Sequence, residues 1–169
     1  FIGFLEAEGW KYSSGNNIHR VTKRDVLIAD DFKKFIAETN LDLTEDEVIQ
    51  IYDNVRLVGA ESDFATLHKV YGWMVNGVQF TPQDGLPRMI PLIEFDNWDK
   101  NIFRVVNQFT VEYTNNGQKE NRRPDVLLFV NGIPLCVIEL KNPADANATI
   151  YDAWEQINIR YWRDIPHLL

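Results

Sequence analysis

The amino-acid sequence predicts a mixed α/β (α+β) domain, with a central mixed β-sheet flanked by helices and a helical pair near the N-terminus. Apolar residues recur at helical spacing over 24–58, and from Trp73 onward their period approaches two. Two apolar runs also flank Asn131-Gly132, which is a strong hairpin signal. At 169 residues and 45% hydrophobic content, the chain is long enough for one domain over 1–169, with its main core over 70–169.

The helical pair is predicted over residues 24–58. Apolar residues at helical spacing over 24–38 predict the first helix, and Asp30 and Asp31 indicate its start. The second follows Thr44-Glu45-Asp46-Glu47, which has the form of a capping box, and should end near Gly59. The acidic residues of 42–47 therefore indicate helix capping rather than a metal site. A short third helix is predicted over 61–71.

The rest of the chain is predicted to be rich in strands. The period-two pattern predicts strands over 73–75, 78–80, 89–95 and 103–113, separated by turns rich in Gly, Asn, Asp and Pro. The hairpin around Asn131-Gly132 follows them. After a loop over 143–148, a helix is predicted from about Asp152 to Arg163.

Composition excludes several classes of protein. The single Cys136 permits no disulfide framework, and three scattered histidines offer no zinc spacing. No apolar run reaches the ~18 residues of a membrane span, so we expect no membrane partner. The net charge of −8 argues against a general nucleic-acid coat but not against an enzyme acting on DNA. Both ends of the chain suggest cuts in a longer polypeptide.

Charged residues stand at one end of the predicted hairpin. Asp125 opens its first strand, and Glu139 and Lys141 close its second. Buried charge is costly unless it is paired or holds a metal. Mg²⁺ takes oxygen ligands and usually one or two carboxylates, so Asp125, Glu139 and the backbone carbonyl of Leu140 are candidate ligands. With Lys141 orienting a metal-activated water, this set suits phosphodiester hydrolysis.

The turn of the hairpin decides whether the two carboxylates meet. The proposed chemistry requires Asp125 to oppose Glu139 across an antiparallel ladder. We therefore predict a turn of three residues, 131–133, or a bulge. A strict two-residue turn would pair Asp125 with Ile138 and place Glu139 on the other face. In the competing interpretation, Asp125 forms a salt bridge with Lys141 while Glu139 is solvated.

Other polar residues are candidates near this strand end. Gln156, in the middle of the following helix, can reach over the strand ends or else lies on a solvated helix face. The basic residues before Asp125 either hold backbone phosphates or offset the nearby carboxylates; they are Lys119, Arg122 and Arg123.

The sequence around these residues resembles a known family. Pro124-Asp125 followed by Glu139-Leu140-Lys141 is the PD-(D/E)xK nuclease signature. Residues 122–143 closely resemble the N-terminal nuclease domain of the restriction (R) subunit of type I restriction–modification enzymes. The resemblance extends upstream through 103–109, and downstream to the helix that contains Ala153, Gln156 and Tyr161. It implies a restriction-endonuclease-like core.

The resemblance also implies a function. Members are cytoplasmic prokaryotic enzymes that cut double-stranded DNA with Mg²⁺, and Asp125, Glu139 and Lys141 match their catalytic positions. Their partners are the methyltransferase (M) and specificity (S) subunits, and a separate motor region translocates DNA using ATP. No phosphate-binding G-x-x-x-x-G-K-[ST] loop occurs in this sequence, so ATP binding is expected in a missing C-terminal region.

One spacing departs from the family pattern. The family carries a Gln-x3-Tyr pair in the helix after the lysine. Here four residues separate Gln156 from Tyr161, and Arg160 takes the expected tyrosine position.

Two further functions fit the same residues. One is a PD-(D/E)xK nuclease of a DNA repair or junction-resolving system, against which a helicase motor in the full-length product would count. The other is a non-catalytic domain that docks the methyltransferase complex. The intact acid–acid–lysine set favours a nuclease over the docking domain.

Overall fold

The computed structural model describes residues 1–59, 64–83, 85–141 and 149–168. The helices are α1 Ile2–Ala7, α2 Ala29–Thr39, α3 Glu45–Gly59, α4 Phe64–Asn76, α5 Ile150–Glu155 and α6 Trp162–Asp164, with a π-helix, Gln156–Tyr161, between the last two. The strands are β1 Lys11–Ser14, β2 Val78–Phe80, β3 Arg88–Ile90, β4 Phe103–Asn107, β5 Val111–Asn115, β6 Gln118–Arg122, β7 Val126–Val130 and β8 Ile133–Ile138. The mixed α/β class is thereby confirmed.

The chain forms two compact units, of which unit 1 comprises 1–26, 103–129 and 134–169. Its main sheet has the strand order β1-β4-β7-β8, and β1 runs parallel to β4 with Lys11 opposite Arg104. Strand β7 is the central apolar strand: Leu127 and Phe129 are fully buried. A continuous apolar run of this kind is typical of a strand covered on both faces.

A separate hairpin, β5–β6, also belongs to unit 1. Val111 pairs with Arg122, and Asn116 and Gly117 form its turn with φ of 48° and 79°. The prediction of one strand over 103–113 is wrong, because the backbone breaks between β4 and β5 at Gln108, where φ is 54°. A left-handed residue cannot continue a pleated strand.

Unit 2, which comprises 27–102 and 130–133, contains helices α2 to α4 and the β2–β3 hairpin. Its core includes Phe32, Phe35 and Ile51, each almost completely buried. The predicted capping box is confirmed: Thr44 N–H donates to Glu47 Oε2 at 2.8 Å, and Glu47 N–H donates back to Thr44 Oγ1 at 3.3 Å.

Helix α2 begins at Ala29, so Asp30 and Asp31 lie in its first turn as predicted, and residues 24–28 precede the helix. Two predicted boundaries in unit 2 are wrong. The strand predicted over 73–75 lies inside α4, because Trp73 and Met74 pack on the core from a helix. The strand predicted over 89–95 is limited to Arg88–Ile90. Residues 61–63 of the third predicted helix and the loop over 143–148 lie outside the described residues.

The turn between β7 and β8 consists of two residues, Asn131 and Gly132, with φ of 51° and 76°. Two successive positive φ values are the mark of a type I′ turn, so the three-residue turn is wrong. Buried Asn131 donates to Asn101 Oδ1 at 2.8 Å and accepts from the N–H of Ile102 at 2.7 Å. A side chain at Gly132 would collide with the carbonyl oxygen of Ile28.

No helix among the described residues has both the length and the apolar character needed to cross a membrane.

Candidate active site

Asp125 is fixed at the entry to β7 by contacts at both of its carboxylate oxygens. Gln108 Nε2 donates to Oδ1 at 3.1 Å, and the backbone N–H of Leu140 donates to Oδ2 at 2.9 Å. The backbone N–H of Gln108 also donates to the Asp125 carbonyl at 3.0 Å. The strand break at Gln108, which follows β4, therefore positions the aspartate that precedes the neighbouring strand β7.

Glu139 follows β8 and turns its carboxylate toward Asp125. Its Oε1 lies 3.4 Å from the backbone nitrogen of Asp125 and accepts from the phenol of Tyr161 at 2.6 Å. Its Oε2 accepts from Gln156 Nε2 at 2.6 Å. Asp125 and Glu139 both lie just outside the bounds of β7 and β8, so they meet even though the turn has two residues. The rule that successive side chains point to opposite faces of a sheet applies only to residues within the paired strands.

The amide of Gln156 joins the lysine to the glutamate. Lys141 Nζ donates to its Oε1 at 2.9 Å, while its Nε2 donates to Glu139 Oε2. This orientation follows from the partners, because an ammonium only donates and a carboxylate only accepts. Among the described residues Asp125 and Lys141 form no salt bridge, and Glu139 is half-buried, so the competing interpretation of a bridge beside a solvated glutamate is wrong.

A π-helix accounts for the unusual Gln–Tyr spacing. In an α-helix of 3.6 residues per turn, side chains five residues apart point about 140° away from each other. In the π-helix Gln156–Tyr161, residue i+5 stands above residue i, as residue i+4 does in an α-helix. Gln156 Nε2 consequently lies 2.8 Å from the Tyr161 hydroxyl, and Arg160 is turned to an exposed position.

Burial controls the protonation of the pair formed by Glu139 and Tyr161. Burial is the largest cause that raises the pKa of Glu139, and the charge of Asp125 adds to it while the hydrogen bond from Tyr161 opposes it. Burial, followed by the hydrogen bond to Glu139, also raises the pKa of Tyr161. The phenol is therefore protonated at neutral pH and acts as a donor.

The carboxylates of this site are suitable ligands for a magnesium ion. Asp125 and Glu139 are the two carboxylates that meet at this site, and the described residues contain no group of three or more His, Cys, Asp or Glu side chains arranged to hold a metal. Mg²⁺ usually takes only one or two carboxylates and keeps waters for the rest. A cation between them would also relieve the like-charge repulsion that raises the pKa of Glu139. Leu140 lies at this site through its N–H, and its carbonyl stays a predicted ligand.

The three predicted DNA-binding residues have different surroundings. Arg122 is paired with Asp164, at 2.7 Å from Nε and 2.5 Å from Nη2 to Oδ2. Lys119 is exposed and lies 3.5 Å from Glu112. Arg123 is exposed. Their contacts with DNA stay predictions.

Sequence reasoning missed Gln108 and Asp164 as parts of this arrangement. Gln108 lies in the 103–109 string that carries the family resemblance, but no local pattern relates it to Asp125. Asp164 is distant in sequence from Arg122, and nothing in the sequence pairs them. Tyr161 was singled out, but its contact with Glu139 depends on a π-helix that the sequence pattern does not reveal.

Comparison with known proteins identifies the family. The family described as "Type I restriction enzyme R protein N terminus" matches residues 2–169. A putative type I restriction enzyme MjaIXP endonuclease subunit of Methanocaldococcus jannaschii is 35% identical over 97% of this chain and 16% of its own length. The type I restriction enzyme HindI endonuclease subunit of Haemophilus influenzae is 30% identical over 90% of this chain and 15% of its own length. The chain therefore belongs to the family of type I restriction enzyme R protein N-termini.

Proposed function

We propose that this chain is the Mg²⁺-dependent endonuclease domain of a type I restriction enzyme R subunit and hydrolyses phosphodiester bonds of double-stranded DNA. The observation that supports this most is the convergence of Asp125, Glu139 and Lys141. The side chain of Gln156 joins the lysine to the glutamate, and Glu139 Oε1 lies 3.4 Å from the backbone nitrogen of Asp125. The names of the relatives, which are endonuclease subunits, agree with it.

Asp125 and Glu139 would hold the metal, together with the Leu140 carbonyl. When bound, the ion supplies a water of lowered pKa and stabilises charge on the phosphate oxygens. The chain's own contribution is preorganisation: Gln108 and Leu140 hold the Asp125 carboxylate, and Tyr161 and Gln156 hold that of Glu139.

Lys141 would act on the water and on the developing phosphate charge. Gln156 Oε1 accepts from its ammonium at 2.9 Å, and the same amide group donates to Glu139, so the ammonium is held next to the side chain that orients this carboxylate. Hydrolysis forms one bond from the water oxygen to phosphorus and breaks one P–O ester bond, while the leaving oxygen takes up a proton. A fixed cation stabilises the negative charge that builds up in that transition state.

The chain spans about one sixth of the relatives, 16% and 15% of their lengths, so the activities of a whole subunit are part of the proposal. We infer that this domain acts in the prokaryotic cytoplasm, within a complex that contains the methyltransferase and specificity subunits. ATP-driven translocation of DNA would be carried out by motor domains elsewhere in the R subunit.

The test uses the assembled restriction complex with Asp125→Ala, Glu139→Ala or Lys141→Ala in its R subunit. Each variant should reduce Mg²⁺-dependent cleavage by at least about a hundredfold, because each removes a group that acts on the transition state. Translocation, followed by triplex displacement, should stay at the wild-type rate. Cleavage at the wild-type rate by all three would overturn the proposal, and variants that fail to assemble, and therefore neither translocate nor cleave, would indicate a docking domain.

A further inference from the structure

A polar cleft opens beside the candidate active site. It has a volume of about 620 Å³, and its lining residues are Lys23, Thr110, Asn121, Arg122, Arg123, Gln156, Arg160 and Tyr161. Gln156 and Tyr161 thus contribute both to this cleft and to the hydrogen bonds around Glu139. A strand of nucleic acid that reaches the carboxylates can therefore continue into the cleft.

The cleft concentrates positive charge on a chain whose net charge is −8. Its cationic lining residues are Lys23, Arg122, Arg123 and Arg160. The acidic groups that face them are Asp164, which pairs with Arg122, and Glu155, which lies 3.5 Å from Arg160. Glu112 donates its backbone N–H to the carbonyl of Lys23, and its carboxylate lies near Lys119.

These cations are not equally able to bind a ligand. Asp164 has a side chain only 6% exposed and holds Arg122 through Nε and Nη2, so that guanidinium is occupied in a structural pair. The Arg160 pair with Glu155 is different, because the arginine side chain is 56% exposed and the separation is long. An exposed pair of this kind contributes little and yields readily to a phosphate. Lys23 and Arg123 are exposed as well.

The π-helix is what brings Arg160 to this cleft. It turns Tyr161 into a buried position against Gln156 and leaves the preceding residue on the cleft side. An arginine there presents a planar set of donors, which suits a phosphate group. The π-helix thus keeps Tyr161 in contact with Gln156 despite the extra residue between them. It also leaves the positive charge of Arg160 at the edge of the active site.

We propose that Lys23, Arg123 and Arg160 bind backbone phosphates of the DNA strand next to the bond that is cut, while Arg122 holds Asp164. This inference rests on the proposed nuclease function and identifies the side of the active site along which the strand lies. Contacts to phosphates carry no sequence information, so these three residues would bind DNA of any sequence.

The test measures binding rather than cleavage. The 169-residue chain is titrated with a fluorescent DNA duplex in Ca²⁺, at several salt concentrations, as wild type and as the triple variant Lys23→Ala, Arg123→Ala, Arg160→Ala. Each lost phosphate contact reduces the magnitude of the slope of log affinity against log salt by about 0.9. The slope of the triple variant should therefore be smaller in magnitude than that of the wild type by about 2.7. At low salt its affinity should fall at least about tenfold.

A matched control removes the same amount of positive charge at exposed residues that do not line the cleft, as Lys11→Ala, Lys34→Ala, Lys100→Ala. This control should keep the wild-type slope. The double variant Arg123→Lys, Arg160→Lys should keep most of the affinity because it retains the charge. Equal losses in both triple variants, no binding by the wild type, or displacement of the duplex by micromolar mononucleotide would overturn the inference.

Failure of the inference can be told apart from failure of the nuclease assignment. Asp125→Asn does not alter a residue that lines the cleft. It should abolish cleavage in the assembled enzyme, and in its background the three cleft substitutions should still reduce the magnitude of the salt slope by about 2.7. Binding that depends on the cleft, without any cleavage by the wild-type complex, would contradict the proposed function alone. Cleavage that depends on Asp125, with binding unaffected by the cleft variants, would contradict only the inference.

Discussion

The phenolic oxygen of Tyr161 lies 2.6 Å from Oε1 of Glu139, so a residue of the π-helix holds the carboxylate that follows β8. Gln156 holds the other carboxylate oxygen at 2.6 Å. Two neutral donors thus orient the carboxylate of Glu139. Carboxylates that bind metals in proteins are commonly held in this way by hydrogen bonds from neighbouring residues.

Tyr161→Phe should reduce cleavage by about tenfold, because loss of an outer partner of a metal ligand commonly costs this much activity. It should lower the free energy of unfolding by about 1 kcal/mol, the usual net value of one hydrogen bond. Steady-state cleavage and urea unfolding measure the two effects. Tyr151→Phe, at an exposed position, is the matched control, and an equal effect on cleavage there would contradict the role of Tyr161.

Deletion of Asn158 should be tolerated. This exposed residue lies within the π-helix, and its removal would give the Gln-x3-Tyr spacing that an α-helix aligns on one face. We expect cleavage within about threefold of the wild type and an unchanged circular dichroism spectrum. Insertion of one alanine after Asn158 should instead rotate the tyrosine away and abolish cleavage. If both changes inactivate the enzyme equally, the π-helix does not serve to align the pair.

Asp164→Asn should destabilise the chain at neutral pH by roughly 2 kcal/mol, since it breaks charged hydrogen bonds around a largely buried carboxylate. Arg163 first, and then Arg122, lower the pKa of Asp164 below its ordinary 3.8 against the opposing effect of burial. The unfolded chain therefore takes up this proton first, so the stabilisation is complete above about pH 5 and is lost as the pH falls through the folded pKa.

The difference in unfolding free energy between wild type and Asp164→Asn should consequently narrow as the pH falls from about 5 to about 2. Chemical unfolding at a series of pH values measures it. Asp99→Asn, at an exposed position, serves as the control and should show almost no difference. A difference in unfolding free energy that stays constant with pH would contradict the lowered pKa of Asp164 in the folded chain.

Gly132→Ala should cost at least about 2 kcal/mol of unfolding free energy, because φ is 76° and the new methyl group would collide with the Ile28 carbonyl. Gly117→Ala separates the two causes, since Gly117 has a φ of 79° but no atom within 4 Å of the added carbon. We expect about 1 kcal/mol there, which is the conformational cost alone. Equal costs at the two positions would show that the close contact with Ile28 does not matter.

The sequence predicted the parts of the fold that depend on local chemistry. The capping box at Thr44 and Glu47 and the Asn131-Gly132 turn are such cases, because each needs only a few neighbouring residues. It also singled out Asp125, Glu139, Lys141 and Gln156, whose contacts the structure then describes.

What the sequence did not reveal depends on tertiary contacts. The strand predicted over 73–75 lies in α4 because packing on the core decides between helix and strand for a short apolar run. The break at Gln108 and the π-helix at 156–161 have no compositional signal, since neither contains glycine or proline. The prediction of a three-residue turn assumed that side chains alternate between the two faces of the sheet as far as Glu139. This alternation holds only within paired strands, and Glu139 lies beyond the end of β8.

The central claim, that Asp125 and Glu139 together hold a divalent cation, is tested most directly by Mn²⁺ titration of the chain, with free Mn²⁺ followed by electron paramagnetic resonance. Mn²⁺ suits carboxylate oxygen sites. We predict saturable binding that Asp125→Asn and Glu139→Gln each weaken at least about tenfold, and that Lys141→Ala and the exposed control Asp99→Asn leave intact. Wild-type binding by both acid variants, or no saturable binding by the wild type, would contradict the claim.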